Sequence, residues 1–149
     1  MASPTAPTDS RSRLAKLAGV DAVERPVLIA AWCLLPLISV SLRILDYPRT
    51  RDLMARFLTR NGNLTESDLQ IERTARLVGV AARHALYRPS CLSQALAAWW
   101  LLARRGIVTS VRIGVQRDRR GFSAHAWVER DGVIIMGGAD SRERYLPML

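Results

Sequence analysis

Cys91 and His125 are the two side chains in this 149-residue sequence whose types and placement allow nucleophilic chemistry. A thiol reacts as its thiolate, which a neighbouring base and a positive helix end both favour. Cys91 lies in Arg88-Pro89-Ser90-Cys91-Leu92-Ser93-Gln94-Ala95-Leu96, where a strongly apolar helix is expected to begin at Pro89 or Ser90. The unpaired N–H groups of such a first turn stabilise a thiolate and, later, an oxyanion. The competing reading makes Cys91 one more small buried residue, a common fate for cysteine. Proline, serine and a helix start expose the first turn, with the large apolar residues further along, which favours the nucleophile. The base must be His84 or His125, since the chain has two histidines. His84, in Ala81-Ala82-Arg83-His84-Ala85-Leu86, reads as an exposed or edge residue of the preceding helix. His125 sits inside an expected strand, Phe122 to Glu129, between Ala124 and Ala126, whose small side chains leave room around the ring.

A third group should accept from the other imidazole nitrogen and fix its tautomer. If Asp131-Gly132 forms a two-residue turn, Arg130 faces Val133 and His125 faces Gly138. Asp140 then lies diagonally on the same face, at about 7–8 Å between backbones. Asp140 is the candidate on that register, and a change of parity would remove the argument. Glu129 shares the face but is expected to be solvated, and Asp131 is explained as a turn former. Trp127, also on that face, reads as core packing and as a cleft wall that keeps water from the ring.

These residues need a scaffold. Residues 1–8 are small and proline-rich and are expected to be a disordered tail, with a short helix from Asp9 or Ser10 to about Val20. An uncharged run over residues 27–42, interrupted by Pro36, is marginal in length for a bilayer. It reads as a buried helix pair rather than a membrane-associated segment, with Cys33 a plain buried thiol. Amphipathic spacing of Leu53, Met54, Phe57 and Leu58 predicts a helix over 48–60, broken by Asn61-Gly62-Asn63. Thr65-Glu66-Ser67-Asp68 would cap the next helix, ending near Leu86. The helix over 91–104 is apolar around most of its circumference and stops at Arg104-Arg105-Gly106. Alternation predicts strands over 107–115, 122–129 and 133–136, and the tail over 142–149 is expected to add an edge or a docking segment. Helices followed by an antiparallel sheet make an α+β fold. The expected division is 1–8 as tail, 9–64 as a helical N-terminal region and 65–149 as the core, with 9–64 and the core forming one compact domain.

Bulk composition narrows the function. With 49% hydrophobic and 23% charged residues the chain is globular rather than disordered. Two cysteines form no disulfide framework, and with two histidines scattered singly they argue against a structural zinc site. A reducing cytoplasm is the expected location. The net charge of +9 favours acidic partners. The arginines, however, are spread along the chain without aromatic interleaving, so nucleic-acid binding is not expected.

Cys91-Leu92-Ser93-Gln94-Ala95-Leu96, Ala103-Arg104-Arg105-Gly106-Ile107, Ile113-Gly114-Val115 and Ala124-His125-Ala126-Trp127-Val128-Glu129-Arg130-Asp131-Gly132 resemble the lasso-peptide leader peptidases. These are the transglutaminase-like B proteins of lasso-peptide biosynthesis. The resemblance covers roughly the last 60 to 65 residues in detail. Cysteine on a helix followed by histidine on a later strand is also the order of papain-like enzymes. The resemblance implies a small papain/transglutaminase-like core with a central helix packed on an antiparallel sheet. It implies a cysteine peptidase with a Cys-His-Asp triad that removes the leader from a ribosomally made precursor and needs no metal or cofactor. Cys91 and His125 match the family motif. In some relatives the acid falls where this sequence has Met136-Gly137-Gly138, and Asp140 is the nearest acid beyond. The implied partners are the precursor, a separate leader-recognition protein and an ATP-dependent cyclase. Two other readings stay open: a transglutaminase-like acyl transferase or amidase, and a non-catalytic scaffold that binds a peptide or membrane.

Overall fold

The computed structural model describes residues 24–58, 68–118 and 121–148. The expected tail, the helix to Val20, the Asn61-Gly62-Asn63 break and most of the Thr65–Asp68 cap lie outside the described residues. Among the described residues the chain forms helices α1 (Arg25–Ile44), α2 (Tyr47–Arg56), α3 (Asp68–Arg83) and α4 (Cys91–Arg104). Strands β1 (Ser110–Asp118), β2 (Gly121–Arg130) and β3 (Val133–Met136), the short helix α5 (Ser141–Arg144) and strand β4 (Leu146–Pro147) follow. The sheet is antiparallel in the order β3-β2-β1-β4, so the C-terminal tail is indeed an edge strand. The fold is α+β.

Helix α4 is the centre. Ala95, Leu96, Ala97, Ala98, Trp99, Leu101 and Leu102 are all buried on it, as its wide apolar surface predicts. It ends as the sequence indicates. Gly106 adopts φ +80°, its N–H bonds the Ala103 carbonyl, and the Ile107 N–H bonds the Leu102 carbonyl. This pairing of the last carbonyls is closed by an apolar contact between Leu102 and Ile107. One face of α3 (Leu77, Val78, Ala81) and one of α1 (Val27, Ala31, Leu35, Ile38) pack against α4, while Ala126 and Val128 of β2 join the same core from the sheet.

The 27–42 run is not a buried helix pair. It is one helix of 20 residues that contains Pro36 without ending there. Its face with Leu35 and Ile38 packs on the core, and tertiary packing of such a stripe outweighs the local cost of a proline. The opposite face carries Ile29, Trp32, Leu37, Val40 and Ile44 to the surface. Cys33 is exposed with them, not buried. The helix is long and apolar enough to cross a membrane by length and composition.

Strand β1 has the expected length but starts at Ser110 rather than Ile107, β2 is extended at both ends, and the two stay paired out to Asp118 and Gly121. Strand β1 begins just after α4 ends, and its Gly114, Val115 and Gln116 pair with His125, Ala124 and Ser123 of β2.

Candidate active site

Ser90 caps α4. Its Oγ accepts from the Ser93 N–H at 3.1 Å, and its carbonyl accepts from the Gln94 N–H. Cys91 is the first helical residue, half-buried, with its own N–H and that of Leu92 outside the helical ladder. A chain of hydroxyls supports this turn: Ser93 Oγ lies 2.9 Å from Ser90 Oγ and 3.1 Å from Ser39 Oγ, and Ser39 Oγ is 3.3 Å from the Tyr87 hydroxyl. No local pattern announces this seam, because Ser39 is 54 residues from Ser93. It ties α1 to the first turn of α4, so the thiol rests on a braced helix end.

His125 is the last residue of β2 before the strand becomes buried. It pairs with Gly114, and Tyr145 packs on its ring at 5.0 Å between centroids, with Trp127 beyond at 6.4 Å. Gly114 is required here, because a Cβ would come within 2.9 Å of both the Trp127 ring and Tyr145. His125 Nε2 lies 2.6 Å from the Gly137 carbonyl. A carbonyl can only accept, so Nε2 carries the proton and the lone pair of the neutral ring is on Nδ1. By strand alternation Ala126 and Val128 meet the helices, while His125 and Trp127 lie on the face covered by Tyr145. No hydrogen bond joins the Cys91 thiol to the ring in this structure. Such contacts commonly tighten only when substrate is bound.

Asp140 is not the group at the imidazole. The Asp131-Gly132 turn forms as expected, with Asp131 at φ 49° and Arg130 opposite Val133. A bulge between Val128 and Glu129 then places Val128 opposite Met136, which reverses the parity on which the Asp140 argument stood. The Asp140 carboxylate instead accepts from Arg144 at 3.2 Å, and Gly137 presents its backbone to the ring. His84 lies exposed just past the end of α3.

A protein-family model for the transglutaminase-like superfamily matches residues 32–149, from within α1 to the end of the chain. The chain belongs to the transglutaminase-like superfamily. Neither a curated protein nor a solved structure matches it. The superfamily includes cysteine peptidases and acyl transferases, and both chemistries use a nucleophile and base of the kind placed at Cys91 and His125. Its model spans α1 and α2 as well as the sheet, so the boundary at residue 32 falls inside a helix.

Cavities lined by neither Cys91 nor His125 are also present among the described residues. One of about 480 Å³ lies between the start of α3 and the Asp131-Gly132 turn, at the other end of the sheet. Another of about 390 Å³ is an apolar groove between α1 and α2, floored by Trp100.

Glu129 was expected in solvent but is buried, with Arg112 at 2.8 Å and Arg142 at 2.7 Å, and with Trp127 Nε1 donating at 3.4 Å. Burial pushes its carboxyl up. The hydrogen bonds from Arg112, Arg142 and Trp127 outweigh burial, and the net value lies below the ordinary 4.5. A depressed carboxylate contributes stability that is complete above its unfolded pKa and is lost as pH falls through its folded one. Thermal unfolding midpoints should therefore fall as pH drops below about 4.5, and Glu129→Gln should lose that part of the acid dependence while being less stable at neutral pH. An identical acid limb in the variant would show that the cluster contributes nothing.

Proposed function

We propose that this chain is a cysteine peptidase that removes the leader from a ribosomally synthesised lasso precursor peptide, acting in the cytoplasm beside a separate leader-recognition protein and an ATP-dependent cyclase. The reading is supported most by the Nε2 hydrogen bond of His125, which leaves Nδ1 as the basic nitrogen of the neutral ring, together with Cys91 as the first residue of α4. It is supported by membership of a superfamily that includes cysteine peptidases, and by the resemblance of the Cys91 and His125 segments to the leader peptidases.

In this mechanism Nδ1 takes the thiol proton and the Cys91 sulfur attacks the scissile carbonyl. The N–H groups of the first turn of α4 face the oxyanion that forms. As the C–N bond breaks, the imidazolium passes its proton to the leaving amine, which becomes the core N-terminus. Water, deprotonated by the same nitrogen, hydrolyses the thioester to a leader carboxylate and restores the thiol. Because Ala126 and Val128 face the helices while His125 lies with Tyr145 on the other face of β2, this mechanism requires the ring to swing past the strand edge toward the first turn of α4 when the peptide binds.

The test is reconstitution of the purified chain with a short lasso precursor peptide and a leader-recognition protein, read by mass spectrometry. Two fragments whose masses sum to precursor plus one water support the peptidase. A product in which the leader carbonyl is joined to an added amine would instead establish acyl transfer. An uncut precursor in the presence of both partners would overturn both.

A further inference from the structure

We infer that the Gly137 carbonyl, clamped by Ser141, replaces the carboxylate of the triad in this chain, and that Ser141 is a positioning residue for His125. The inference rests on reading His125 as the general base. One carbonyl oxygen accepts from two donors, His125 Nε2 at 2.6 Å and Ser141 Oγ at 2.7 Å, which uses both of its lone pairs. Ser141 is 2% exposed, and its own N–H bonds the Gly138 carbonyl at 3.1 Å, so the turn from 137 to 141 is tied across its width.

The same geometry excludes an acid at position 137. Gly137 has φ +116°, which side-chain-bearing residues rarely adopt. A Cβ there would lie 2.5 Å from Trp127 Cβ, 2.9 Å from Trp127 Cα and 3.2 Å from the Ala126 carbonyl. Backbone and the root of a buried ring cannot yield that space. The glycine that forbids a carboxylate also allows the backbone to come close enough to take over its hydrogen bond. Asp140, the nearest acid, is spent on Arg144. The triad's third role thus passes to a neutral acceptor, which sets the tautomer and the ring plane without adding a negative charge.

The experiment compares wild type, Ser141→Ala and Ser141→Thr. Two-bond ¹⁵N–¹H correlation spectra of the histidines, recorded where the rings are neutral, report which nitrogen holds the proton. His125 of the wild type should be in the Nε2–H form alone. Ser141→Ala should show an exchanging mixture of tautomers and lose about tenfold in kcat at unchanged KM, the scale of one hydrogen bond. Ser141→Thr, which keeps the hydroxyl, should restore both. A wild-type His125 carrying its proton on Nδ1, or a Ser141→Ala protein with unchanged tautomer and kcat, would overturn the inference. The wild-type spectrum needs no substrate and no variant. It therefore decides the point if Ser141→Ala does not fold, and it stands apart from whether the chain cuts a peptide.

Discussion

Replacing Cys91 by alanine should abolish the proposed leader removal, and replacing it by serine should slow it on the order of a thousandfold or more, because the nucleophile and its base would act as one unit. The oxygen nucleophile holds its proton far more tightly than sulfur, so a histidine matched to a thiol does not activate it to the same degree. Neither change should unfold the protein. Cys91 is half-buried at a helix start, and the cap belongs to Ser90, so the thermal midpoint should stay near wild type. Cys33→Ser is the matched control: that thiol is exposed on α1, and its loss should leave the rate unchanged. A Cys91→Ser protein that cuts at the wild-type rate would remove the covalent mechanism altogether.

The largest effect on stability should come from Trp127. It is 1% exposed and lies at the centre of the sheet face opposite α4. Gly114 and Gly137 both owe their lack of a side chain to it. Its Nε1 donates to Glu129, within the cluster that Arg112 and Arg142 complete. Trp127→Ala leaves a cavity between two glycines, which have no side chains to fill it, and should cost about 3–5 kcal/mol in urea unfolding. Against a total of about 5–15 kcal/mol for a domain of ordinary stability, that is a large share. It should also displace His125 and Tyr145, so the remaining folded protein should cleave slowly. Trp127→Phe, which keeps most of the ring volume, should cost far less. A Trp127→Ala loss under about 1 kcal/mol would mean that the C-terminal segment collapses onto the sheet without it.

Elements with a strong local pattern were legible in advance. Helix α4 declared both of its ends, through Ser90 and through Arg104-Arg105-Gly106, because caps are short-range hydrogen-bond problems that neighbouring residues solve. The two-residue turn at Asp131-Gly132 was equally visible, since its dihedral angles restrict which residues can occupy it. Burial was less legible. The uncharged stretch on α1 reads the same whether one face or both are covered, and only packing showed that Trp32, Cys33 and Leu37 point outward. Glu129 was misread for the converse reason: its arginine partners come from β1 and α5, and neither is near it in the chain.

By itself the amino-acid sequence determined the α+β class, the helix that opens on Cys91 and the strand that carries His125, all of them consequences of side-chain periodicity and end chemistry acting over a few residues. The partner of the imidazole was decided only in three dimensions. One extra residue in β3 reversed the parity of everything after it, turned Asp140 toward Arg144 and brought the Gly137 carbonyl to Nε2. A bulge of this kind is set by how the strand must bend to keep Met136 and Val128 together in the core, a balance of packing between distant segments that no local pattern records.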